Sequence, residues 1–379
     1  MTARRILYLT GTRADFGLMA QTLREIQATD GLALEIAVTG MHLSPRYGMT
    51  VNDIRAAGLP VSVEIPVNVD TTTGEAMATA VGGITTALAH HMAARRPDVL
   101  LLLGDRGEML AGAIAALYQN IPVAHLHGGE RSGTVDEPVR HAISKLAHHH
   151  FVATAGARER LIRMGERPQY IHLTGAPGLD GLADLVRQPN PEWRQAYGLN
   201  PSDPVALFVF HPVVQTADEA AVQARESIDG LLAAGMQLLA LMPNADAGGN
   251  AVREVLQAFA DAGRIRLLTH LPRPLYLQAL AQVDLLAGNS SSGIIEAASF
   301  QLPVLNIGDR QRDREQSGNV VDVEPLQAAV QAGALAALQL PGRGGWVNCY
   351  GDGHAARRIA GLLASLPLQG AVLEKSNAY

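Results

Sequence analysis

The residues best suited to chemistry are acids and histidines gathered just behind short apolar runs. The stretch His125-Leu126-His127-Gly128-Gly129-Glu130-Arg131, continued by Asp136-Glu137-Pro138-Val139-Arg140-His141, follows the apolar run 121–126. It crowds three carboxylates, Glu130, Asp136 and Glu137, near one point. Gly104-Asp105-Arg106-Gly107-Glu108 follows a second run, 98–103. Several carboxylates around one site suit proton transfer at carbon, where one group removes a proton and another returns it. Gly128 and Gly129 are expected to let a ligand approach the backbone. The plain alternative is a strand, a turn and a capped helix with solvated acids.

A second set suits anion binding. Gly288-Asn289-Ser290-Ser291-Ser292-Gly293 lies between an apolar run and a helical stretch, so backbone N–H groups and three hydroxyls converge at a helix N-terminus. A helix cap needs only one serine. Glu296, one turn further, is placed to accept from ribose hydroxyls. Arg310, Arg312 and Arg314 can add positive charge, and His211, just before Pro212, can act as acid or donor to a diphosphate. Arg13 would face an anion at another helix start, and His42 ends another apolar run. Glu137, His141, Ser144 and His148 recur at helical spacing, as do Arg140 and Ser144, so one polar helix face would look into a cleft. The runs His148-His149-His150 and His90-His91 do not suggest a metal, because adjacent side chains diverge on helices and alternate on strands.

Positioning these residues requires alternating strands and helices. Residues 5–10, 34–39, 61–65, 98–103, 121–126, 146–154 and 170–173 read as strands or strand ends with helices between, including 72–95. Four prolines within 188–204 break the pattern, and a second alternation begins at 205–210 and continues through 237–242, 264–268, 283–287 and 303–307. The expected fold class is α/β, two Rossmann-like domains facing a cleft. The expected limits are 1–185 for the lobe with the acids and 186–365 for the nucleotide lobe. The last helix, 353–365, would cross back onto the first lobe, and 366–379 would be a tail, loose after Gly370. Ligands of such sheets sit beyond the carboxyl ends of the strands. Neither the dinucleotide fingerprint nor a Walker loop is present.

The 379 residues are 47% hydrophobic and 17% charged, with a net charge of −6, which fits a globular protein and opposes nonspecific nucleic-acid binding. A single cysteine, Cys349, rules out an intrachain disulfide and a multi-thiolate zinc site. No apolar stretch is long enough to span a bilayer, so a cytoplasmic protein without membrane partners is expected.

Taken together, Gly11-Thr12-Arg13-Ala14-Asp15-Phe16-Gly17, Gly104-Asp105-Arg106, His127-Gly128-Gly129-Glu130, Asp136-Glu137 with Arg140-His141-Ala142-Ile143-Ser144-Lys145, and 288–296 resemble the hydrolysing UDP-N-acetylglucosamine 2-epimerases. The resemblance runs over nearly the whole chain. It implies a glycosyltransferase-B-like fold, a UDP-sugar substrate, no metal, no nicotinamide or other cofactor, and a homodimer or homotetramer. It implies loss of the C2 proton, elimination of UDP to a glycal and rehydration, in the making of nonulosonic acids such as sialic or legionaminic acid. By the same resemblance Asp105, Glu130 and Glu137 are the acids of the site, and His211 lies near the diphosphate. Arg13, Ser291, Ser292 and Glu296 contact the nucleotide. Glu130 or Asp105 is expected as the C2 base, with Glu137 or Asp136 in water addition. His42, Arg106, Arg140, His141, Asn289, Ser290, Gly293, Arg310 and Arg314 complete the expected binding set. A non-hydrolysing epimerase, a UDP-sugar glycosyltransferase and a silent UDP-sugar sensor are the alternatives. Gly107 and Asp313 depart from the family pattern beside the site and bear on the sugar, N-acetylglucosamine or a 4-acetamido-6-deoxy analogue.

Overall fold

A computed structural model describes residues 3–132, 135–182, 190, 192–341 and 344–379. Among the described residues the first lobe holds seven strands: β1 (Arg4–Thr10), β2 (Leu32–Thr39), β3 (Val61–Ile65), β4 (Val99–Leu103), β5 (Val123–Leu126), β6 (His149–Val152) and β7 (Ile171–Leu173). All pair in parallel, in the order β3-β2-β1-β4-β5-β6-β7. Between them run α1 (Arg13–Ala28), α2 (Val51–Ala56), α3 (Gly74–Ala94), α4 (Gly107–Leu117), α5 (Asp136–Leu146) and α6 (Ala155–Arg163). The second lobe pairs β8 (Val205–Val209), β9 (Gln237–Leu241), β10 (Arg266–Leu268), β11 (Leu285–Gly288), β12 (Val304–Ile307) and β13 (Val320–Val323) in the parallel order β10-β9-β8-β11-β12-β13. Its described helices are α7 (Trp193–Ala196), α8 (Ala220–Ala233), α9 (Gly249–Asp261), α10 (Arg273–Gln282), α11 (Ser291–Ile295), α12 (Gln327–Leu338) and α13 (Ala355–Ser365). These are the two Rossmann-like lobes of the expected class.

Helices cover both faces of each sheet, which is why β4 and β8 are buried along their whole length and read as unbroken apolar runs. Strand order reverses between β1 and β4 and again between β8 and β11, so the loops leaving these strands splay apart and open a cleft. Strand β13 was not expected. Its sequence, Val-Val-Asp-Val, is short and half-exposed at a sheet edge and lacks the continuous burial of the others.

Helix α13 packs on the first lobe, where Ala355, Ile359, Ala360 and Leu363 join the core formed by α1 and β1. The Asp180 carboxylate accepts from the N–H groups of Ala355 (2.9 Å) and Ala356 (2.6 Å), satisfying donors at the start of α13. The expected lobe boundary at 185/186 lies outside the described residues. The tail is not loose. Lys375 Nζ donates to the carbonyls of Ser144 (2.9 Å) and Ala147 at the end of α5, and pairs with Glu166 at 2.6 Å. A cation at a helix C-terminus is favoured there, and sequence periodicity cannot show it.

The glycine pair serves packing and not ligand approach. Gly129 has φ +75°, and a Cβ there would stand 2.3 Å from the Ala157 carbonyl of α6; one on Gly128 would stand 2.8 Å from Ser144 Oγ of α5. The three adjacent histidines part as expected. His148 Nδ1 accepts from the Val123 N–H, His149 Nε2 donates to the Pro367 carbonyl, and His150 pairs with Glu166. Among the described residues no helix is long and apolar enough to cross a membrane.

Candidate active site

The acids lie where the strands of the first lobe end. Glu130 is buried behind β5, with one carboxylate oxygen accepting from His127 Nδ1 and the other 3.0 Å from Arg314 Nη1. Burial by itself would push its carboxyl up, but His127 and Arg314 outweigh burial and hold it below the usual range. Asp105, after β4, accepts from Arg140 Nη2 and stands 3.9 Å from Arg314 Nη2. Arg140 is itself buried and donates to the Glu130 carbonyl (3.1 Å) and Ser132 Oγ (3.2 Å), so it fixes Asp105 and the Glu130 turn together. Glu137 accepts from the Ser132 N–H at 2.6 Å and lies 3.6 Å from His141 one turn along α5. Asp136, at the start of α5, lies 3.6 Å from Arg310 Nη2 of the second lobe.

His211 leaves β8 on the facing side. Its Nδ1 accepts the Asn244 N–H at 3.2 Å, and burial, with Arg310 nearby, pushes its pKa down to about 3. The ring is therefore neutral with its proton on Nε2, a hydrogen-bond donor. Asn289 clamps the His211 peptide from both sides and is 1% exposed, so its amide positions His211 and has no side-chain group left for a nucleotide. The Asn289 carbonyl accepts from Arg310 Nη1 (3.1 Å) and Gln311 Nε2 (3.0 Å), which pins the arginine loop to the serine turn.

In that turn Ser290 caps α11, accepting from the Ser292 N–H. Ser292 Oγ bonds the Tyr276 hydroxyl, and Ser291 makes no side-chain hydrogen bond among the described residues. Glu296 is fully buried. Arg273 Nη2 bonds one of its oxygens, while the other, Oε2, is a buried acceptor without a partner. An unmet buried acceptor is costly and fits a ligand hydroxyl.

Other expected site residues have different places. His42 is 0% exposed, and both ring nitrogens are used, by Thr10 Oγ1 (2.9 Å) and Thr50 Oγ1 (2.7 Å). It braces the end of β1 beneath the cleft instead of touching a substrate. Gly293 is required by packing, since a Cβ would stand 2.9 Å from Val304 Cγ1. Gly107 likewise faces Val81 of α3 at 2.8 Å and is not turned to a sugar. Arg106 bridges Glu108 (3.3 Å) and Asp246 of the other lobe (3.1 Å), and these carboxylates overcome burial to hold its charge. Arg13 donates to the Thr269 carbonyl across the cleft at 3.2 Å, and burial together with Arg253 presses it down to about 10.

Sequence reasoning passed over His127, Asp246, Arg273 and Tyr276 as site residues. Their partners are distant in sequence or on the other lobe, except for the His127–Glu130 spacing. His127 also holds φ +60°, uncommon for a residue with a side chain.

The lobes are drawn together by Arg131–Asp313 (2.6 Å), Arg160–Glu315 (3.3 Å), Arg106–Asp246 and the Arg310 and Arg314 contacts. A recess of about 160 Å³ lies between the lobes, with Val135, Asp136, Pro212, Asp246 and Arg310 among its lining residues. Sites for ligands of drug size measure roughly 300–1,000 Å³, more than this one recess. Among the described residues no cluster of metal-ligating side chains occurs.

Comparison with known proteins shows the family and the fold. The sequence profile described as UDP-N-acetylglucosamine 2-epimerase matches residues 24–364. A Legionella pneumophila protein named UDP-N,N'-diacetylbacillosamine 2-epimerase (hydrolyzing) is 48% identical over 99% of this chain and 100% of its own. A Neisseria meningitidis UDP-N-acetylglucosamine 2-epimerase is 32% identical over 85% of this chain and 84% of its own. The crystal structure of a Neisseria meningitidis UDP-GlcNAc 2-epimerase bound to UDP-GlcNAc superposes with a TM-score of 0.80 at 18% identity, covering 95% of this chain and 99% of that one. A profile match over most of the chain and a full-length relative at this identity place the chain in the UDP-N-acetylglucosamine 2-epimerase family.

Proposed function

We propose that this hydrolysing UDP-sugar 2-epimerase acts on UDP-N,N'-diacetylbacillosamine and releases UDP and the free manno-configured sugar, an aldose suited to nonulosonic acid synthesis. The observation that carries the reaction is the meeting of Glu130 and Asp105 with Arg314 across the cleft, which sets a base for carbon beside a cation for a diphosphate. The choice of sugar rests on the name of the relative that is 48% identical over its full length.

In this reading the diphosphate lies against the start of α11 and the arginine loop, and Glu296 Oε2 takes the ribose hydroxyls. Glu130 removes the C2 proton while the C1–O bond breaks and its electron pair leaves with UDP, giving a C1–C2 double bond. The Nε2–H of His211 and the arginines meet the charge that develops on the diphosphate. Water, oriented by Glu137 or Asp136, then adds its oxygen to C1, and a proton returns to C2 on the other face. Net consumption is one water per UDP released. Such acid–base groups contribute about 10²–10⁴-fold each, so Glu130→Gln should lose about that much turnover while still binding UDP.

The test is incubation with each donor in D₂O. Phosphorus NMR should show free UDP, and proton NMR a manno product carrying deuterium at C2. A retained UDP-sugar product would indicate a non-hydrolysing epimerase. UDP release only with an added acceptor would indicate a glycosyltransferase, and binding without turnover a sensor. The Neisseria relative favours UDP-N-acetylglucosamine as the second donor, and the ratio of the two UDP-release rates decides between them.

A further inference from the structure

We propose that Arg314 is a transferable counter-ion: in the empty cleft it neutralises Glu130 and Asp105, and it leaves them for the diphosphate of an arriving nucleotide, so that binding itself unmasks the base. This rests on the reading of the cleft as a UDP-sugar site.

The geometry of Arg314 differs from that of the other arginines at the site. Arg140 is held by three hydrogen bonds to oxygens of its own lobe, though its Nε is buried without a partner, and Arg310 is tied to the Asn289 carbonyl. Arg314 reaches out of the second lobe, one residue after Asp313 with φ +63°, and among the described residues its ion pairs are with carboxylates of the first. Among the described residues its Nε and Nη1 make no well-aligned hydrogen bond, although Nη1 stands 3.0 Å from Glu130 Oε2. A guanidinium offers five donors in a planar fork suited to phosphate oxygens, so this one is held by charge and left with unused donors.

The surroundings of Glu130 show what changes when the lobes part. From its own turn His127 faces it. From α5 Arg140 holds its carbonyl, and from α6 Arg160 lies nearby, bonded to the Gly129 carbonyl. Asp105 shares Arg314, while Tyr350 and Cys349 approach from the segment before α13. His127, Arg140 and Arg160 belong to the first lobe and stay in place. Arg314 is the cation that rides with the second. Opening, or capture of Arg314 by phosphate oxygens, therefore removes one positive charge from beside a buried carboxylate and makes it more basic.

Titration calorimetry with UDP tests this, run in buffers of different ionisation enthalpy so that protons exchanged on binding can be counted. Wild type should take up more protons than Glu130→Gln, and the excess should grow as pH falls from about 7 to about 5.5, toward the carboxylate range. The ionisation of UDP itself is common to both proteins and cancels in the difference. Glu130→Gln should bind UDP at least as tightly as wild type, since no ion pair must be broken. Arg314→Met should bind about tenfold or more weakly, with no excess uptake. If Glu130→Gln does not fold, Arg314→Met supplies the same subtraction from the other side. Equal proton counts with intact UDP binding would overturn the counter-ion inference alone. Failure of wild type to bind UDP would overturn the nucleotide reading and this inference together.

Discussion

Asn289 holds His211 by its backbone: Oδ1 accepts the His211 N–H at 2.7 Å, and Nδ2 donates to the His211 carbonyl at 2.8 Å. The ring of His211 is thus placed by a residue with no side-chain atom left over. Asn289→Ala should lower kcat by about 10–100-fold through misplacement of the imidazole. It should also cost about 1–3 kcal/mol of stability, because two buried peptide groups lose their partners. Steady-state rates and urea unfolding measure the two effects, and unchanged kcat would sink the positioning role.

Ser291 and Ser292 are neighbours with different duties. Ser291→Ala should weaken UDP by about fivefold, on the order of one hydrogen bond, without moving the melting temperature. Ser292→Ala removes the partner of Tyr276 and should lower both. Calorimetry alongside thermal melts separates them.

Gly129→Ala should destabilise the fold by about 3 kcal/mol or more, since a positive φ and a 2.3 Å approach to the Ala157 carbonyl add together. Gly181→Ala is the control. It has φ +78° but nothing within 4 Å of a Cβ, so only about 1 kcal/mol of backbone cost remains. Equal losses at the two positions would show that contact with α6 is unimportant.

Acid should weaken the protein before its carboxylates titrate. Burial pushes His125 down to about 3, and His148 and His149 down to about 4. In the unfolded chain histidines titrate near about 6.5, so below that pH the unfolded state binds protons that the fold refuses. The stabilising contribution is complete above about pH 6.5 and declines as pH falls toward about 4. Urea midpoints across this range should show it, and His148→Gln should flatten the slope by about one proton. A flat profile from about pH 6.5 to about pH 4.5 would contradict neutral burial of these rings.

The two-lobed fold was legible because β4 and β8 are unbroken apolar runs followed by polar turns, a pattern carried by adjacent letters. The positions of Asp105 and Glu130 at strand ends were legible for the same reason. What stayed hidden depends on contacts between distant residues. Gly128 and Gly129 looked like a ligand approach until Ser144 and Ala157 were found against them. His42 looked like a cleft residue, yet Thr10 and Thr50 occupy both its nitrogens. Asp246 drew no notice because its partner, Arg106, is 140 residues away. Lys375 sits in a stretch without period, and its role comes from the exposed carbonyls ending α5.

Helix α13 completes the core of the first lobe although it is made after the whole second sheet. During synthesis, the face of α1 that Ile359 and Leu363 will cover must wait, greasy and open to water, while the ribosome delivers every strand from β8 to β13. The order of translation therefore opposes the order of assembly, and apolar surface left uncovered in a half-made chain favours aggregation. A circular permutant that placed 355–365 ahead of β1 would let the first lobe seal itself as it emerges.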